Sequence, residues 1–260
     1  MLTITSRDNQ YLKLARSLTS RKGRTAAQAF LIEGLRLCGE AAQSPLRLQL
    51  AFIAAEADQR AYQLAALLEE RGLPIYQLSE ALFATIAATE HSQGIAIIAE
   101  LPPEAQLSGG GQCYALCDSI ADPGNLGTII RSAYAAGVSG LILGPGCADP
   151  YNPKTVRSAM GGLFHLPLAR TKSNEAALAV VRQLGLSILV TAMDGLDIRQ
   201  AAQWLHQPHL WVLGSEATGV SAFWRQQADS SISLPMREGA ESLNVAAAAT
   251  VLFYQSFFVK

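Results

Sequence analysis

The chain has 260 residues, of which 50% are hydrophobic and 16% are charged, and its formal net charge is -1. This length allows one large domain or two ordinary ones, with enough apolar residues for a substantial core. The balanced charge excludes a polycation, so a nucleic acid would have to bind to a local basic patch. No apolar run is long enough to span a bilayer, and we expect no signal peptide.

The first hundred residues predict a small α/β domain. Apolar periodicity and turn residues place its elements in chain order as a helix over 9–18, a strand at 30–32, a helix through 35–41, a strand at 51–54, a helix over 62–71 and strands at 75–78 and 94–99. The clustered cations at its start are Arg7, Lys13, Arg16, Arg21, Lys22 and Arg24, with Asp8 as the only anion. Residues 20–25 are expected to form a flexible basic loop. Charge alone leaves two roles equally open, binding of nucleic-acid phosphates and a solvated surface cluster.

Pro102-Pro103 and Gly109-Gly110-Gly111 are typical of a linker, which divides the chain into domains at 1–104 and 112–260. The second domain alternates strands and helices, which favours a parallel α/β sheet. Its strands are predicted at 113–117, 140–143, 163–167, 186–191, 210–213 and 231–234. Its helices are predicted at 127–136, 153–159, 173–184, 221–228 and 245–258.

Cysteine and histidine spacing indicates neither a disulfide framework nor a metal site. Cys38, Cys113, Cys117 and Cys147 suit free thiols in a reducing cytoplasm. The Cys113-x-x-x-Cys117 pair lies in an apolar run and is expected to be buried. The histidines, at 91, 165, 206 and 209, lack ligand spacing and are expected to be ordinary structural or surface residues.

Three polar loops follow predicted strands, where open α/β sheets bind ligands. In the first, 118–131, Pro123 and Gly124 are expected to form the turn, with Arg131 just over one helical turn in. In the second, 213–221, Glu216 suits a helix-start anion, an active-site carboxylate or an ordinary turn residue. The third, 234–245, carries Ser242 and Asn244 at a helix start, where such residues commonly serve as caps.

Nucleotide-binding and hydrolase signatures are absent from the sequence. No Gly-x-Gly-x-x-Gly follows the first strand, and there is no Walker-type lysine loop. Leu143-Gly144-Pro145-Gly146 matches a dinucleotide fingerprint only faintly, because it has a proline and lacks the third glycine. No Gly-x-Ser-x-Gly or Ser-His-Asp arrangement is present.

The ordered motifs Asn125-x-Gly127-x-Ile129-x-Arg131, Leu213-Gly214-Ser215-Glu216, and Leu234-Pro235-Met236 with Ser242-Leu243-Asn244-Val245 resemble the SpoU (TrmH-type) branch of the SPOUT RNA methyltransferases. The stretch 149–164 is also similar to that family, and the N-terminal half, with Phe30–Gly34, resembles its substrate-binding domain. The resemblance therefore covers nearly the whole chain.

This resemblance implies a SPOUT parallel sheet with a trefoil knot and a smaller N-terminal α/β RNA-binding domain. It implies a homodimer that uses S-adenosylmethionine to methylate RNA ribose 2′-hydroxyls, with ribosomal RNA favoured over tRNA and no metal. An inactive RNA-binding homologue and a dinucleotide-dependent oxidoreductase are the alternatives. The implied residues are Asn125, Arg131, Glu216, Ser242 and Asn244 for catalysis, Leu213, Gly214, Leu234, Met236 and Leu243 for the cofactor, and the six N-terminal cations with Lys154 and Arg157 for RNA.

Two positions depart from the family pattern. Ala217 stands where a glycine commonly follows the glutamate of the second motif. In the third motif, Glu238 precedes Gly239, so the glycine comes one position late. Both departures are expected to face the cofactor loop and to alter its local shape.

Overall fold

The computed structural model describes residues 1–89, 92–239 and 241–259, so His91 lies outside the described residues. The chain forms two compact units, Met1–Pro103 with Tyr151–Phe164, and Glu104–Pro150 with His165–Lys260. A segment from the middle of the chain thus belongs to the first unit. The assignment of RNA binding to residues 1–104 and of methyl transfer to residues 112–260 stays a prediction.

The first unit is built on a five-stranded sheet within the described residues. Its first elements are β1 (Leu2–Ile4), α1 (Gln10–Ser17), α2 (Arg21–Ala27), β2 (Ala29–Glu33), α3 (Leu35–Gln43), β3 (Leu48–Ala54), α4 (Gln59–Glu70), β4 (Ile75–Leu78), α5 (Glu80–Phe83) and β5 (Ile95–Glu100). The strand order is β1-β4-β3-β5-β2, and β5 runs antiparallel to both of its neighbours. Apolar side chains of α1, including Leu12, pack with Phe52 and Phe83 in the core.

The basic stretch at residues 20–25 is mostly helical, so the prediction of a flexible loop is wrong. The Ser20 hydroxyl accepts a hydrogen bond from Gly23 N (3.0 Å) and caps α2. Arg24 is buried, and its Nη1 donates to the carbonyl oxygens of Leu18 (2.8 Å) and Thr19 (3.1 Å) just beyond α1. One expected surface cation therefore satisfies backbone carbonyls inside the fold.

The remaining elements build the second unit, apart from α7, which belongs to the first. They are β6 (Cys113–Cys117), α6 (Pro123–Ala135), β7 (Leu141–Leu143), α7 (Pro153–Ala159), β8 (Leu168–Arg170), α8 (Asn174–Gln183), β9 (Ser187–Asp197), α9 (Ala202–Leu205), β10 (His209–Leu213), α10 (Ala222–Gln227), β11 (Ser230–Ser233) and α11 (Val245–Phe258). The described strands form a parallel sheet in the order β11-β9-β10-β6-β7-β8, which confirms the parallel α/β prediction.

The prediction of a strand at 163–167 is wrong. A 3-10 turn covers Gly162–Phe164, and the strand comes later, as β8. The Phe30 ring lies 5.0 Å from the ring of Tyr151 and 6.4 Å from that of Phe164, between ring centroids. Phe164 is therefore buried by tertiary packing within the first unit, and apolar periodicity alone does not distinguish such burial from burial in a sheet.

Helix α11 is fixed to the second unit by packing on α6 and by buried hydrogen bonds to β10. The Ser132 and Thr250 hydroxyls lie 2.7 Å apart. Trp211 Nε1 donates to Ser256 Oγ (2.9 Å), which also contacts His209 Nε2 (2.8 Å). Strand order does not determine how the chain threads, so the knot stays a prediction of the resemblance. No helix within the described ranges is long and apolar enough to cross a membrane.

Candidate active site at the carboxyl ends of the parallel strands

The first loop leaves β6 and enters α6 earlier than predicted. Asp122 caps the helix by accepting a hydrogen bond from Asn125 N (2.8 Å), and Pro123 is the first helical residue. Pro123 and Gly124 therefore begin the helix instead of forming the turn, since proline suits the first helical position. Asn125 is thus in the first turn. Arg131 is the ninth helical residue, about two turns in, further than expected.

The second loop is a closed turn between Gly214 and Gly219. The backbones of Ser215 and Gly219 exchange hydrogen bonds of 3.1 and 2.9 Å. Glu216 lies in this turn and not in the first turn of α10, which excludes its role as a helix-start anion. Ala217 is absent from the described residues with positive φ, whereas Gly219 has φ +68°. Alanine therefore fits at 217 without backbone strain.

The third loop ends at Asn244, which caps α11. Its Oδ1 accepts hydrogen bonds from the N–H groups of Ala246 (3.0 Å) and Ala247 (3.3 Å). Ser242 does not form this cap, and its side chain is exposed at the edge of the cleft described below. The capping interpretation therefore holds for Asn244.

One hydrogen-bonded cluster joins the three loops. Asn125 Nδ2 donates to Glu216 Oε1 in a short hydrogen bond. Asn244 Nδ2 donates to Asn125 Oδ1 (3.0 Å) and to Glu216 Oε1 (3.2 Å). A single carboxylate oxygen thus accepts hydrogen bonds from two side-chain amides of different loops. The cluster brings together three of the five side chains that the resemblance implies for catalysis.

A cleft of about 410 Å³ opens beside this cluster. Its lining comprises Thr191, Ala192, Met193, Gly214, Ser215, Glu216, Gly219, Arg225, Ile232, Leu234, Met236, Ser242, Leu243, Asn244, Val245, Ala248 and Leu252. Four of the residues expected to hold the cofactor lie on this lining, but Leu213 does not. Leu213 is fully buried in β10, where its carbonyl oxygen accepts a hydrogen bond from Asp118 N (2.8 Å). Glu238 is exposed away from the lining.

Sequence reasoning missed two parts of the cleft. Thr191–Met193 lie on β9, which extends six residues beyond its predicted end and neighbours both β10 and β11. Gly195 permits this extension, because a Cβ there would lie 2.6 Å from the Ser231 backbone. Arg225, the other missed residue, lies one turn into α10. Neither has a local sequence signal, since the strand order is what brings both to the cleft.

Arg131 is exposed and lies outside the cleft lining. It follows Asn125 by six residues on α6, which displaces it by about 9 Å along the helix and roughly 120° around it. The side chain of Arg131 has no hydrogen bond or ion pair within the described part of the chain. The structure therefore does not bring Arg131 to the cluster of its own chain.

The expected RNA-binding cations are mostly accessible in the first unit. Arg7, Lys13, Arg21, Lys22 and Lys154 are exposed, and Arg16 is half-buried. Lys13 pairs with Asp8 at 3.0 Å. Arg157 is half-buried, and its Nη1 is buried without a hydrogen-bond partner among the described residues.

The cysteines near the first loop are thiols. Burial raises the pKa of Cys117 well above its usual range and that of Cys147 to about 11. Cys147 Sγ donates to the Cys117 carbonyl oxygen (3.1 Å). Cys113 and Cys117 are buried, as predicted. The described residues contain no cluster of histidine, cysteine, aspartate and glutamate suited to a metal ion.

Comparison with known proteins decides the family. The model of the SpoU rRNA Methylase family matches residues 112–254, which is more than half of the chain. The chain belongs to the SpoU rRNA methylase family. The model of the MRM3-like substrate binding domain matches residues 9–97 of this SpoU member.

Full-length relatives of this SpoU protein carry specific names. It is 35% identical over 255 residues to the Bacillus subtilis protein named 23S rRNA (guanosine(2553)-2'-O)-methyltransferase RlmP, with 98% of each chain covered. It is 33% identical over 266 residues to a Streptomyces viridochromogenes protein named 23S rRNA (uridine(2479)-2'-O)-methyltransferase, covering 97% of this chain and 91% of the relative. A solved AdoMet-bound rRNA methyltransferase from Sinorhizobium meliloti superposes with TM-score 0.86 at 30% identity, covering 98% of this chain and 96% of that one.

S-adenosylmethionine is the cofactor of this SpoU family, and the cleft suits it. The volume lies within the range of small-molecule sites, about 300–1,000 Å³. Met193, Leu234 and Leu243 offer apolar surface for an adenine ring. Glu216 supplies negative charge for a cationic ligand.

Proposed function

We propose that this chain transfers a methyl group from S-adenosylmethionine to ribose 2′-hydroxyl groups of RNA, with ribosomal RNA as the favoured substrate. The observation that carries the proposal is the Asn125–Glu216–Asn244 cluster at the edge of the cleft. Two full-length relatives are named for 23S rRNA, which favours rRNA over tRNA. The free cysteines suit a reducing compartment, and we propose that the enzyme acts in the cytoplasm.

The main task of the protein in this reaction is to position the ribose oxygen against the methyl group. When bound, the cofactor supplies an electrophilic methyl group on a sulfonium. Aligning the ribose oxygen with that methyl group is worth about 7–11 kcal/mol in well-oriented cases. The hydrogen bonds of Asn125 and Asn244 hold Glu216 in one orientation at the cleft. Ser242 would help to place the nucleotide, and no step of this scheme uses a metal ion.

Arg131 is the residue that we assign to the 2′-hydroxyl, by one of two routes. In the first, it passes a proton to a neighbouring phosphate and then acts as base. In the second, it stays charged, holds that phosphate and donates a hydrogen bond to the developing alkoxide. Undiminished turnover by Arg131→Lys would argue against both routes, because lysine lacks the bidentate fork.

The position of Arg131 supports a homodimer in which each protomer provides this arginine to the cleft of the other. Arg131 is exposed and remote from its own cleft. The helices α6 and α11, which pack together, also expose apolar side chains: Val251 and Phe258 on α11 are 43% and 70% exposed, and Tyr134 on α6 is 48% exposed. An exposed apolar patch of this kind is typical of a protein interface.

RNA would bind to the accessible cations of the first unit, namely the exposed Arg7, Lys13, Arg21, Lys22 and Lys154 and the half-buried Arg16. Arg24 is excluded from this set because its guanidinium is committed to backbone carbonyls. Arg21→Gln should weaken RNA affinity and flatten its salt dependence, as loss of a phosphate contact does. Thr25→Ala, an uncharged change on the same helix, is the control.

The experiment that tests the proposal compares methyl transfer from labelled S-adenosylmethionine to 23S rRNA and tRNA transcripts. Methylated 23S rRNA supports the proposal, and methylated tRNA alone would move the substrate to the runner-up. An inactive RNA-binding homologue would bind RNA but give no heat of cofactor binding by calorimetry. An oxidoreductase would instead be stabilised by a nicotinamide cofactor in a melting experiment.

A further inference from the structure

The charged lining of the cleft has two members of opposite sign among the residues that the structure describes. One is Glu216, whose Oε1 is taken up by the two asparagines. The other is Arg225, which takes no part in that cluster and has no role in the family motifs of this sequence. A guanidinium on the lining of a ligand-binding cleft favours a ligand that carries an anionic group.

Arg225 is held in place while its charged end stays available. Its backbone N–H donates to Ser221 O (3.1 Å) in the first turn of α10. Its side-chain Nε donates to Val220 O (3.0 Å), which orients the guanidinium plane. Within the described residues, its two terminal nitrogens have no hydrogen-bond or ion-pair partner. An anchored fork of this kind is prepared to bind a carboxylate or phosphate with two parallel hydrogen bonds.

Gly219 of the second loop lies beside the guanidinium of Arg225. A Cβ built on Gly219 would lie 3.6 Å from Arg225 Nη2, so the backbone passes close beneath that nitrogen. Gly219 also lines the cleft. Arg225 Nη2 therefore lies beside the backbone turn that carries Glu216, and both charges belong to one loop-and-helix unit.

We propose that Arg225 binds the α-carboxylate of S-adenosylmethionine. This inference rests on the proposed function and names a contact that the motifs do not supply. The cofactor tail carries a carboxylate beside two cationic centres, and the cleft carries one guanidinium beside one carboxylate. An RNA phosphate is the other anion that an arginine on this cleft would suit, and the test below separates the two sources.

The test uses S-adenosylmethionine and decarboxylated S-adenosylmethionine, which differ by the carboxylate alone. Calorimetry on the wild-type protein should show about tenfold tighter binding of the carboxylated ligand. A hydrogen bond to a charged group typically changes affinity by about this factor. Arg225→Gln should remove this difference by weakening the carboxylated ligand about tenfold and leaving the other unchanged. Lys172→Gln, which removes an exposed cation of the same unit outside the cleft lining, should behave as wild type.

Three results would overturn the inference. Equal weakening of both ligands by Arg225→Gln would mean that the residue only shapes the loop. Unchanged binding of both ligands would mean that it holds no carboxylate, and a raised KM for RNA alongside would assign it to a phosphate. Failure of the wild-type protein to bind either ligand would contradict the proposed function itself.

Discussion

Asn244 and Glu216 are joined by a 3.2 Å hydrogen bond from Nδ2 to Oε1. The opposite end of the same amide, Oδ1, caps α11. One side chain therefore starts the C-terminal helix and holds the carboxylate at the cleft. The sequence presents helix capping and a role in the active site as alternatives for Asn244. In the structure the amide oxygen performs the first and the amide nitrogen contacts the active-site carboxylate.

Substitution can separate the roles of the two ends of this amide. Asn244→Asp keeps the capping oxygen but loses the donor and sets a second carboxylate against Glu216. We expect near wild-type stability with methyl transfer reduced about 100-fold, as when a positioning group is displaced. Asn244→Ala should lose activity and also about 1 kcal/mol of unfolding free energy.

Ser173→Ala is the matched control, because Ser173 caps α8 in the same unit away from the cleft. It should lose stability alone, as measured by denaturant unfolding and methyl transfer in parallel. Full activity of Asn244→Asp would contradict the role assigned to the donor end.

Gly214→Ala should disrupt the second loop. A Cβ at this position would lie 2.1 Å from Gly219 C and from Val220 N, which are backbone atoms that cannot move aside cheaply. The loop that carries Glu216 must shift, so we expect S-adenosylmethionine affinity to fall at least tenfold, since roughly 1.4 kcal/mol suffices for that. Gly39→Ala is the control, because nothing lies within 4 Å of its added Cβ. Unchanged affinity in Gly214→Ala would show that the loop tolerates displacement.

Subunit mixing tests whether Arg131 acts across a dimer. Arg131→Ala and Asn244→Ala should each be inactive alone. If each cleft takes its arginine from the partner, random co-assembly should restore about one quarter of wild-type activity, because half of the dimers hold one intact site. If Arg131 acts in its own chain, methyl transfer by the mixture would stay at the level of the single variants.

Acid should destabilise the attachment of α11 through His209. Its Nδ1 lies 2.8 Å from Gln207 O, so Nδ1 carries the proton and Nε2 accepts from Ser256 Oγ. Burial lowers the pKa of His209 below its usual value of 6.5. The unfolded chain therefore binds this proton more readily. The stability contribution is fully present above about pH 6.5 and is lost as the pH falls through the lowered folded-state pKa.

Denaturant unfolding between pH 7.5 and 5 measures this effect. His209→Gln removes the titrating group, so its unfolding free energy should fall less steeply over that interval than that of the wild type. An identical slope in both proteins would assign the acid sensitivity to other groups.

Local sequence signals predicted several elements of the second unit correctly. The bounds of α7 and α11 are as predicted because each follows an asparagine cap, Asn152 or Asn244. The parallel sheet follows from the alternation of strands and helices. The meeting of the three loops could also be predicted, since each leaves the carboxyl end of a strand.

The wrong predictions concern segments whose conformation is determined by tertiary packing. Residues 20–25 look like a polar loop, yet the buried guanidinium of Arg24 and the Ser20 cap stabilise a helix there. The apolar run at 163–167 begins in a 3-10 turn, in which Phe164 packs against Phe30. Arg225 reaches the cleft only through strand order, which no local pattern contains.

The most direct test of the account is to map the methyl group. The wild-type protein should transfer it from labelled S-adenosylmethionine to a 23S rRNA transcript, and mass spectrometry of the digested RNA should find it on a ribose 2′-oxygen. Asn244→Asp should methylate that nucleotide about 100-fold more slowly. A methyl group on a base, or full transfer by Asn244→Asp, would contradict the account.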